Sequence, residues 1–268
     1  MSEKSSSSKK LALHHRVRAR LKRTGEKRTY RWRMAILFPA WITVAYVMSN
    51  LIVVALLWIL DILHMPADTF LRPAILQTAI ATLIYLLTIA IVVAVPYTVK
   101  RLPMASLGTL GLTRLISWSD IGLAPVVFLF YTVASSAVLA ILVSLFPGFP
   151  ADQTQDVGFQ AFGSQADNLL AFVTLVVIAP IAEETLFRGY LYGKLGKYIP
   201  TVVAALITSL LFGVAHLQWN VGIDVFVMSL FLCGLRSLTG SIWAGVLVHM
   251  IKNGIAFYIL FIAPMVGG

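Results

Sequence analysis

Long apolar runs alternate with short polar linkers along most of the chain. A run of about 20 apolar residues is long enough to cross the hydrocarbon core of a bilayer as a helix. The pattern therefore predicts an all-α polytopic transmembrane bundle with about seven spans, of which the short sixth is the weakest prediction. The predicted spans are residues 34–60, 74–95, 121–145, 169–187, 201–216, 225–235 with its flanks, and 242–262.

The charges of the linkers predict the orientation of these spans. The linkers after the first and third spans are rich in aspartate, whereas those after the second and fourth are rich in lysine and arginine. Because loops rich in Lys and Arg stay in the cytoplasm, we expect an N-terminus inside and a C-terminus outside. Loss of the sixth span would move the C-terminus inside.

Composition agrees with a membrane protein. Hydrophobic residues make up 59% of the chain and charged residues 12%, and the mean hydropathy of +0.88 excludes an ordinary soluble domain. The net charge of +10 comes from residues 1–33, which hold twelve Lys and Arg against two Glu. This basic tail is expected to be cytoplasmic and disordered, in contact with membrane lipid and not with nucleic acid. The expected location is the bacterial plasma membrane.

The apolar segments that are interrupted by polar residues all lie in the second half of the chain. The sequence therefore predicts a scaffold half and a site-bearing half, and four regions in all. Residues 1–33 form the tail, 34–145 a scaffold, 146–168 an outer loop rich in Pro, Gly and Asp, and 169–268 a catalytic core. The single cysteine, Cys233, excludes an intramolecular disulfide and a cysteine-based zinc site.

Two glutamates and an arginine end the fourth apolar run. Glu184 and Arg188 are four residues apart, so they share a helix face and can form an ion pair. Glu183 is rotated by about 100° and is freer to meet water. A charge inside the bilayer costs about 2.5–3.5 kcal/mol, so such residues are functional candidates. Alternatively, the three residues only mark the cytoplasmic end of a short span.

Two further pairs have the same four-residue spacing. Phe212 and His216 share a face of the fifth helix, and His249 and Asn253 share a face of the seventh. Either histidine alone is as compatible with packing, but the set on three spans predicts one polar cavity. The predicted depths of these residues in the membrane disagree. At 1.5 Å per residue, Glu183 and His249 lie about 10 Å from the inner boundary of the hydrocarbon core, whereas His216 lies about 22 Å from it. A tilted, broken or displaced fifth helix would remove this mismatch.

The three motifs, EETLFR, FGVAH and HMIKN in this order on separate apolar segments, resemble those of the CPBP family. This family comprises type II CAAX prenyl proteases and bacteriocin-processing or self-immunity proteins. The resemblance covers about residues 169–262, and LGLTR at residues 110–114 looks like a segment that many bacterial members carry upstream. It implies an intramembrane endopeptidase whose helical core opens to the cytoplasmic leaflet.

The resemblance also implies roles for individual residues. Glu183 and His216 would activate the attacking water. His249 and Asn253 would bind and polarise the scissile carbonyl group. The remaining motif residues would support the site, and they are Glu184, Arg188 and Phe212.

A metal is an alternative to metal-free hydrolysis. Glu183, His216 and His249 could form a zinc site of the His₂Glu type. The sequence lacks an HExxH motif, however, and the resemblance implies water activated by glutamate without a bound metal. We therefore expect that no cofactor is required.

Two other functions fit the same residues. A non-catalytic scaffold or bacteriocin-immunity protein could bind a peptide in the cavity without cutting it, and a small proton-coupled transporter could use Glu and His as a relay. For an enzyme, the expected substrate is a peptide or a membrane-anchored protein, prenylated or not. Lys252 either extends to the interface, pairs with Glu184 or binds substrate.

Overall fold

The computed structural model describes residues 2–99, 106–153 and 164–263, with the side chains of residues 2–28 and 97–99 left out. Within these residues every regular element is a helix. Three helical stretches have π geometry and continue the α-helices before them: Val173–Ile178, Thr185–Tyr192 and Tyr258–Ile262. The α-helices are α1 (Ser2–Ile62), α2 (Ala67–Phe70), α3 (Pro73–Val99), α4 (Leu107–Leu110), α5 (Trp118–Leu145), α6 (Gln165–Phe172), α7 (Ala179–Glu184), α8 (Gly193–Leu195), α9 (Thr201–Val214), α10 (Trp219–Thr239) and α11 (Trp243–Phe257).

Six helical segments of the described chain are long and apolar enough to cross a membrane. The predicted fold class is therefore confirmed, and the chain is a multi-pass integral membrane protein. The predicted span that these six do not include is the fifth, residues 201–216, which corresponds to α9, an apolar helix of only 14 residues. The six segments are Thr29–Ile62, Pro73–Pro96, Trp118–Leu145, Gln165–Leu195, Trp219–Thr239 and Trp243–Ile262.

The short helix is the fifth segment and not the sixth, which corrects the sequence analysis. The α10 helix has 21 residues, whereas α9 has only 14 and is about 21 Å long. The chain turns directly after α9, where Leu217 has a φ of 53°. In this hairpin Gly213 packs on the backbone of Gly222, since a Cβ at Gly213 would lie 2.6 Å from the Gly222 carbonyl oxygen.

The fourth membrane segment, Gln165–Leu195, continues eight residues beyond the predicted end at Phe187. The sequence analysis left open that Arg188 only marks the cytoplasmic end of a short span, but Arg188 and Lys194 are both buried inside the protein. Glu183 lies about 18 Å from the C-terminal end of this segment, close to the 22 Å between His216 and the start of α9. The longer helix removes the mismatch in depth between these two residues.

The hydrophobic core lies where the fourth membrane segment meets α9, α10 and α11, and α1 and α5 also contribute buried side chains to it. Phe38 and Ile42 of α1 belong to this core, so the first helix of the predicted scaffold also supports the second half of the chain. The largest buried core side chains of the second half are Tyr190, Leu191, Leu195, Phe212, Met228, Leu232, Leu235 and Ile242.

The α4 segment and the residues after it contact the C-terminal end of α10 and the N-terminal end of α11. Arg236 of α10 donates to the carbonyl oxygens of Gly108 and Thr109, each at 3.1 Å. The backbone N–H of Ile242 donates to Gly111, and the Trp243 indole donates to the Arg114 carbonyl oxygen at 2.8 Å. The connector read as LGLTR is thus a packed part of the bundle.

Close packing of α4 on the fourth segment gives a stability prediction. A Cβ at Gly193 would lie 2.4 Å from the Thr109 carbonyl oxygen, so the Gly193→Ala variant must push two backbones apart. We expect a loss of about 1–3 kcal/mol in thermal or denaturant unfolding in detergent. Gly234→Ala is the matched control, because a Cβ at this helix position meets nothing within 4 Å. Equal stability of both variants would contradict the prediction.

The first helix runs without a break from Ser2 to Ile62, and the part of it that is long and apolar enough to cross a membrane is Thr29–Ile62. The disorder predicted for residues 1–33 stays a prediction, as do the four regional boundaries. Part of the predicted outer loop, residues 154–163, lies outside the described residues.

Candidate active site

A buried ion pair forms the inner part of the site. The Arg188 guanidinium donates to Glu184 Oε1 at 2.8 Å, and the two side chains are 1% and 0% exposed. The four-residue spacing predicts this pair. His249 Nδ1 lies 3.1 Å from the same carboxylate oxygen. The guanidinium carbon of Arg188 is 4.3 Å from the centre of the Phe212 ring, so Phe212 covers the charged pair.

Glu183 is the more accessible carboxylate of the site. Its side chain is 18% exposed, whereas that of Glu184 is fully buried. The hydroxyl group of Tyr85 in α3 donates a hydrogen bond to Glu183 Oε1 at 2.5 Å. The other oxygen, Oε2, lies 3.7 Å from His249 Nε2. The imidazole of His249 therefore lies between two carboxylates, with one ring nitrogen facing each.

His216 lies in the turn after α9 and joins the group through Phe212. Its Nδ1 is 2.8 Å from the Phe212 carbonyl oxygen. A carbonyl oxygen only accepts hydrogen bonds, so Nδ1 carries the proton and Nε2 of the neutral ring is an acceptor. The Phe212 ring packs edge-on against both histidines, and His216 lies close enough to Glu183 for the carboxylate charge to act on it.

Asn253 is placed differently from the other motif residues. Its amide donates to the Leu175 carbonyl oxygen at 2.9 Å, across to the fourth membrane segment. Leu175 belongs to the π stretch Val173–Ile178, and π geometry changes the backbone hydrogen bonding and is common at functional sites. In the described structure this amide holds two segments together one turn beyond His249.

Sequence reasoning missed Tyr85. A tyrosine in an apolar span is normally a packing residue, and nothing local distinguishes Tyr85 from the other aromatic residues of the predicted scaffold. Only the packing of α3 against α7 brings its hydroxyl to Glu183.

The hydrogen bond from Tyr85 predicts a positioning role. In the Tyr85→Phe variant the carboxylate of Glu183 loses a donor that fixes its orientation, so we expect kcat to fall about 10- to 100-fold with little change in KM. Steady-state kinetics of peptide cleavage measure both constants. Tyr30→Phe removes a hydroxyl from a half-exposed tyrosine at the start of the first membrane segment and serves as the control. An unchanged kcat in Tyr85→Phe would contradict the role.

Lys252 does not pair with Glu184, so this part of the prediction is wrong. Glu184 is already occupied by Arg188 and His249. The ammonium group of Lys252 instead lies 3.5 Å from Asp224 Oδ2 on α10.

The His₂Glu zinc site considered above would need Glu183, His216 and His249. Across residues 29–96, 106–153 and 164–263, no three His, Cys, Asp or Glu side chains are grouped so that they could hold a metal ion. His249 Nδ1 faces Glu184, and its Nε2 is 3.7 Å from Glu183 Oε2. The need for a metal stays a prediction.

An apolar groove of about 650 Å³ runs along the face of α11 that points away from His249. It lies between α5, α6 with the following π stretch, and α11. A Cβ at Gly254 would lie 3.7 Å from Val176 across this contact. The groove's apolar lining includes Ala124, Phe172, Val176, Leu247, Ile251 and Tyr258.

Fold and site together define a multi-pass helical membrane protein with a cluster of glutamate and histidine buried among its last four segments. Residues 165–255 match the family model described as type II CAAX prenyl endopeptidase Rce1-like. This stretch contains all three motifs. The family resemblance that the motifs indicate is thus confirmed over this part of the chain.

Two curated proteins are similar to parts of the chain. An uncharacterized 24.3 kDa protein of Escherichia coli is 37% identical over 89 residues, which are 31% of this chain and 41% of that protein. The UPF0177 protein YxdF of Lactococcus lactis is 28% identical over 126 residues, which are 46% of this chain and 68% of that protein. The chain thus spans less than half the length of the first relative. No solved structure gave a significant match.

Proposed function

We propose that the protein is an intramembrane endopeptidase that hydrolyses peptide bonds with a water activated by Glu183 and His216. The observation that carries the proposal is the position of His249 between a buried carboxylate, held by Arg188, and a more accessible one. A peptidase needs a base for water and a donor where negative charge develops on the carbonyl oxygen. This cluster offers both, and the family match supports the assignment.

Activation of water is assigned to two acceptors. Tyr85 fixes Glu183 Oε1, which leaves Oε2 to accept a proton from water. Nε2 of His216 is the second acceptor, because Nδ1 donates to the Phe212 carbonyl oxygen. The hydroxide then attacks the scissile carbonyl carbon, and the proton held by Glu183 passes to the amine as the C–N bond breaks.

Stabilisation of the oxyanion is assigned chiefly to His249. Glu184 accepts from Nδ1, so it orients the ring and stabilises its protonated form, from which Nε2 donates to the carbonyl oxygen. Arg188 donates to Glu184 Oε1 and holds this carboxylate in place. Asn253, which the family resemblance places in the same role, donates to Leu175 in this structure and would have to rotate to reach a substrate.

The proposed substrates are peptides or membrane-anchored proteins cut near the cytoplasmic membrane face. The match to the prenyl endopeptidase family supports substrates of this class. The experiment below compares prenylated with unprenylated peptides.

Cleavage of a panel of quenched peptides by the purified protein tests the proposal. We expect cleavage of at least one peptide, prenylated or unprenylated, and we expect the rate to persist with a zinc chelator, since no three-ligand group is present in the described chain. Loss of activity with the chelator, restored by zinc, would contradict the metal-free mechanism. Binding of peptides without cleavage would favour the scaffold or immunity function, and pH-dependent flux in proteoliposomes would favour transport.

A further inference from the structure

A second polar cavity, of about 290 Å³, lies between α5 and α10 on the side predicted to be extracytoplasmic. Ala151 of the outer linker is at its rim, and Lys252 of α11 reaches into it. None of its lining residues occupies a fixed position of the three motifs. Its polar lining includes Tyr131, Thr132, Ser135, Asn220, Asp224 and Lys252.

The charge of Asp224 is compensated by hydroxyl groups of α5. Ser135 donates to Oδ1 at 2.6 Å, and Tyr131 donates to Oδ1 at 2.9 Å. Two short O–H donors satisfy a carboxylate well, since hydrogen bonds to charged acceptors are stronger than neutral ones. Asp224 therefore does not depend on Lys252.

Lys252 is less well satisfied than Asp224. Among the described residues its ammonium group faces Asp224 Oδ2 at 3.5 Å, which exceeds the 2.7–2.9 Å typical of a charge-assisted hydrogen bond. An ammonium group has three N–H donors, and its side chain here is only 18% exposed. A lysine within a membrane segment is costly and usually marks a functional position. Its donors are available to a ligand in the cavity.

The cavity lies next to the candidate active site. Lys252 follows His249 by three residues on one helix, so their Cβ atoms are about 5–6 Å apart. The charge of Lys252 is also close enough to act on His216. An extended peptide rises about 3.3 Å per residue. A peptide with its scissile carbonyl at His249 therefore brings a group two or three residues away to the ammonium of Lys252.

We propose that this cavity binds a carboxylate group of the substrate, which Lys252 holds two or three residues from the scissile bond. The inference rests on the proposed function and adds a residue that determines specificity. The carboxylate belongs either to the C-terminus of the peptide or to an Asp or Glu side chain. When it binds, Lys252 turns from Asp224, which keeps its bonds from Tyr131 and Ser135.

Binding measurements on the full-length Glu183→Gln variant test this without requiring cleavage. The probes are two pairs of fluorescent peptides: one pair ends in a free carboxylate or an amide, and the other has an amidated end and an internal Glu or Gln. We expect one carboxylate peptide to bind about 10-fold more tightly than its neutral partner, as one charge-assisted hydrogen bond suggests. The pair that shows the preference identifies the source of the carboxylate.

Substitutions of Lys252 and of Asp224 in that background have different expected effects. Lys252→Met should remove the preference and Lys252→Arg should keep it. Asp224→Asn should increase the affinity for the carboxylate peptide about 3-fold, because it removes a competing charge while its Oδ1 still accepts from Tyr131 and Ser135. Lys197→Met, which removes a lysine that donates to Thr109 in the α4 segment, is the control.

Equal affinity for the charged and neutral members of both pairs would overturn the proposal, as would an unchanged preference in Lys252→Met or no binding of any peptide. An ion pair with only a structural role would lower stability in both Lys252→Met and Asp224→Asn and leave the preference as it was. If carboxylate peptides bind with the expected preference but the wild type cuts none, the proposed function fails and the carboxylate site stands.

Discussion

Replacing Glu183 with glutamine is expected to lower kcat for peptide cleavage by about 10²- to 10⁴-fold, the usual contribution of a general base. Glutamine keeps an oxygen that can accept from Tyr85, so the local packing is retained. It cannot take a proton from water, because an amide oxygen is far less basic than a carboxylate. Rates measured with quenched peptides, alongside thermal unfolding, separate lost chemistry from lost structure.

Glu26→Gln makes the same chemical change in the basic tail and is the control for that experiment. We expect it to leave the cleavage rate unchanged. Cleavage at the wild-type rate by Glu183→Gln would rule out Glu183 as the base and would favour Nε2 of His216, the second acceptor assigned above.

Removing Arg188 alone is expected to have the largest effect on stability. Both members of the Arg188–Glu184 pair are buried, so the Arg188→Met variant leaves Glu184 as an uncompensated charge inside the bundle. Breaking a buried pair in this way costs about 3–5 kcal/mol of the free energy of unfolding. Denaturation of the purified protein in detergent measures the loss.

The double variant Glu184→Gln/Arg188→Met distinguishes the electrostatic cost from poor packing. Without the buried carboxylate it should regain most of the lost stability, but it should remain inactive because His249 Nδ1 no longer faces a charged partner. Arg72→Met breaks an ion pair with Asp167 in which the arginine is 52% exposed, so it should cost only about 0.2–1 kcal/mol. Similar losses in Arg72→Met and Arg188→Met would contradict the burial argument.

Local spacing predicted part of the site. The four-residue interval between Glu184 and Arg188 predicts their ion pair, and the rotation of Glu183 predicts its greater exposure. Both follow from helix geometry alone, because residues four apart lie on one face whatever surrounds the helix. The roles of the individual residues stay predictions until kinetics test them.

The end of the fourth membrane segment could not be predicted in the same way. Hydropathy treats Arg188 as a residue at the membrane surface, but in the structure Glu184 and Phe212 surround it and the helix continues to Leu195. Likewise, the sequence around a lysine in an apolar helix does not indicate which residue pairs with it. Lys252 faces Asp224 because α10 and α11 are neighbours.

The sequence by itself determined that the chain crosses the membrane several times as helices, and which motif residues are candidates for chemistry. Hydrophobic run length and helical spacing are local properties, so they can be read without the fold. The tertiary structure decided that Tyr85 supports Glu183, that His249 lies between two carboxylates, and that Lys252 lines a separate cavity. These contacts depend on which apolar faces meet, and uniformly apolar helices do not specify that by pattern alone.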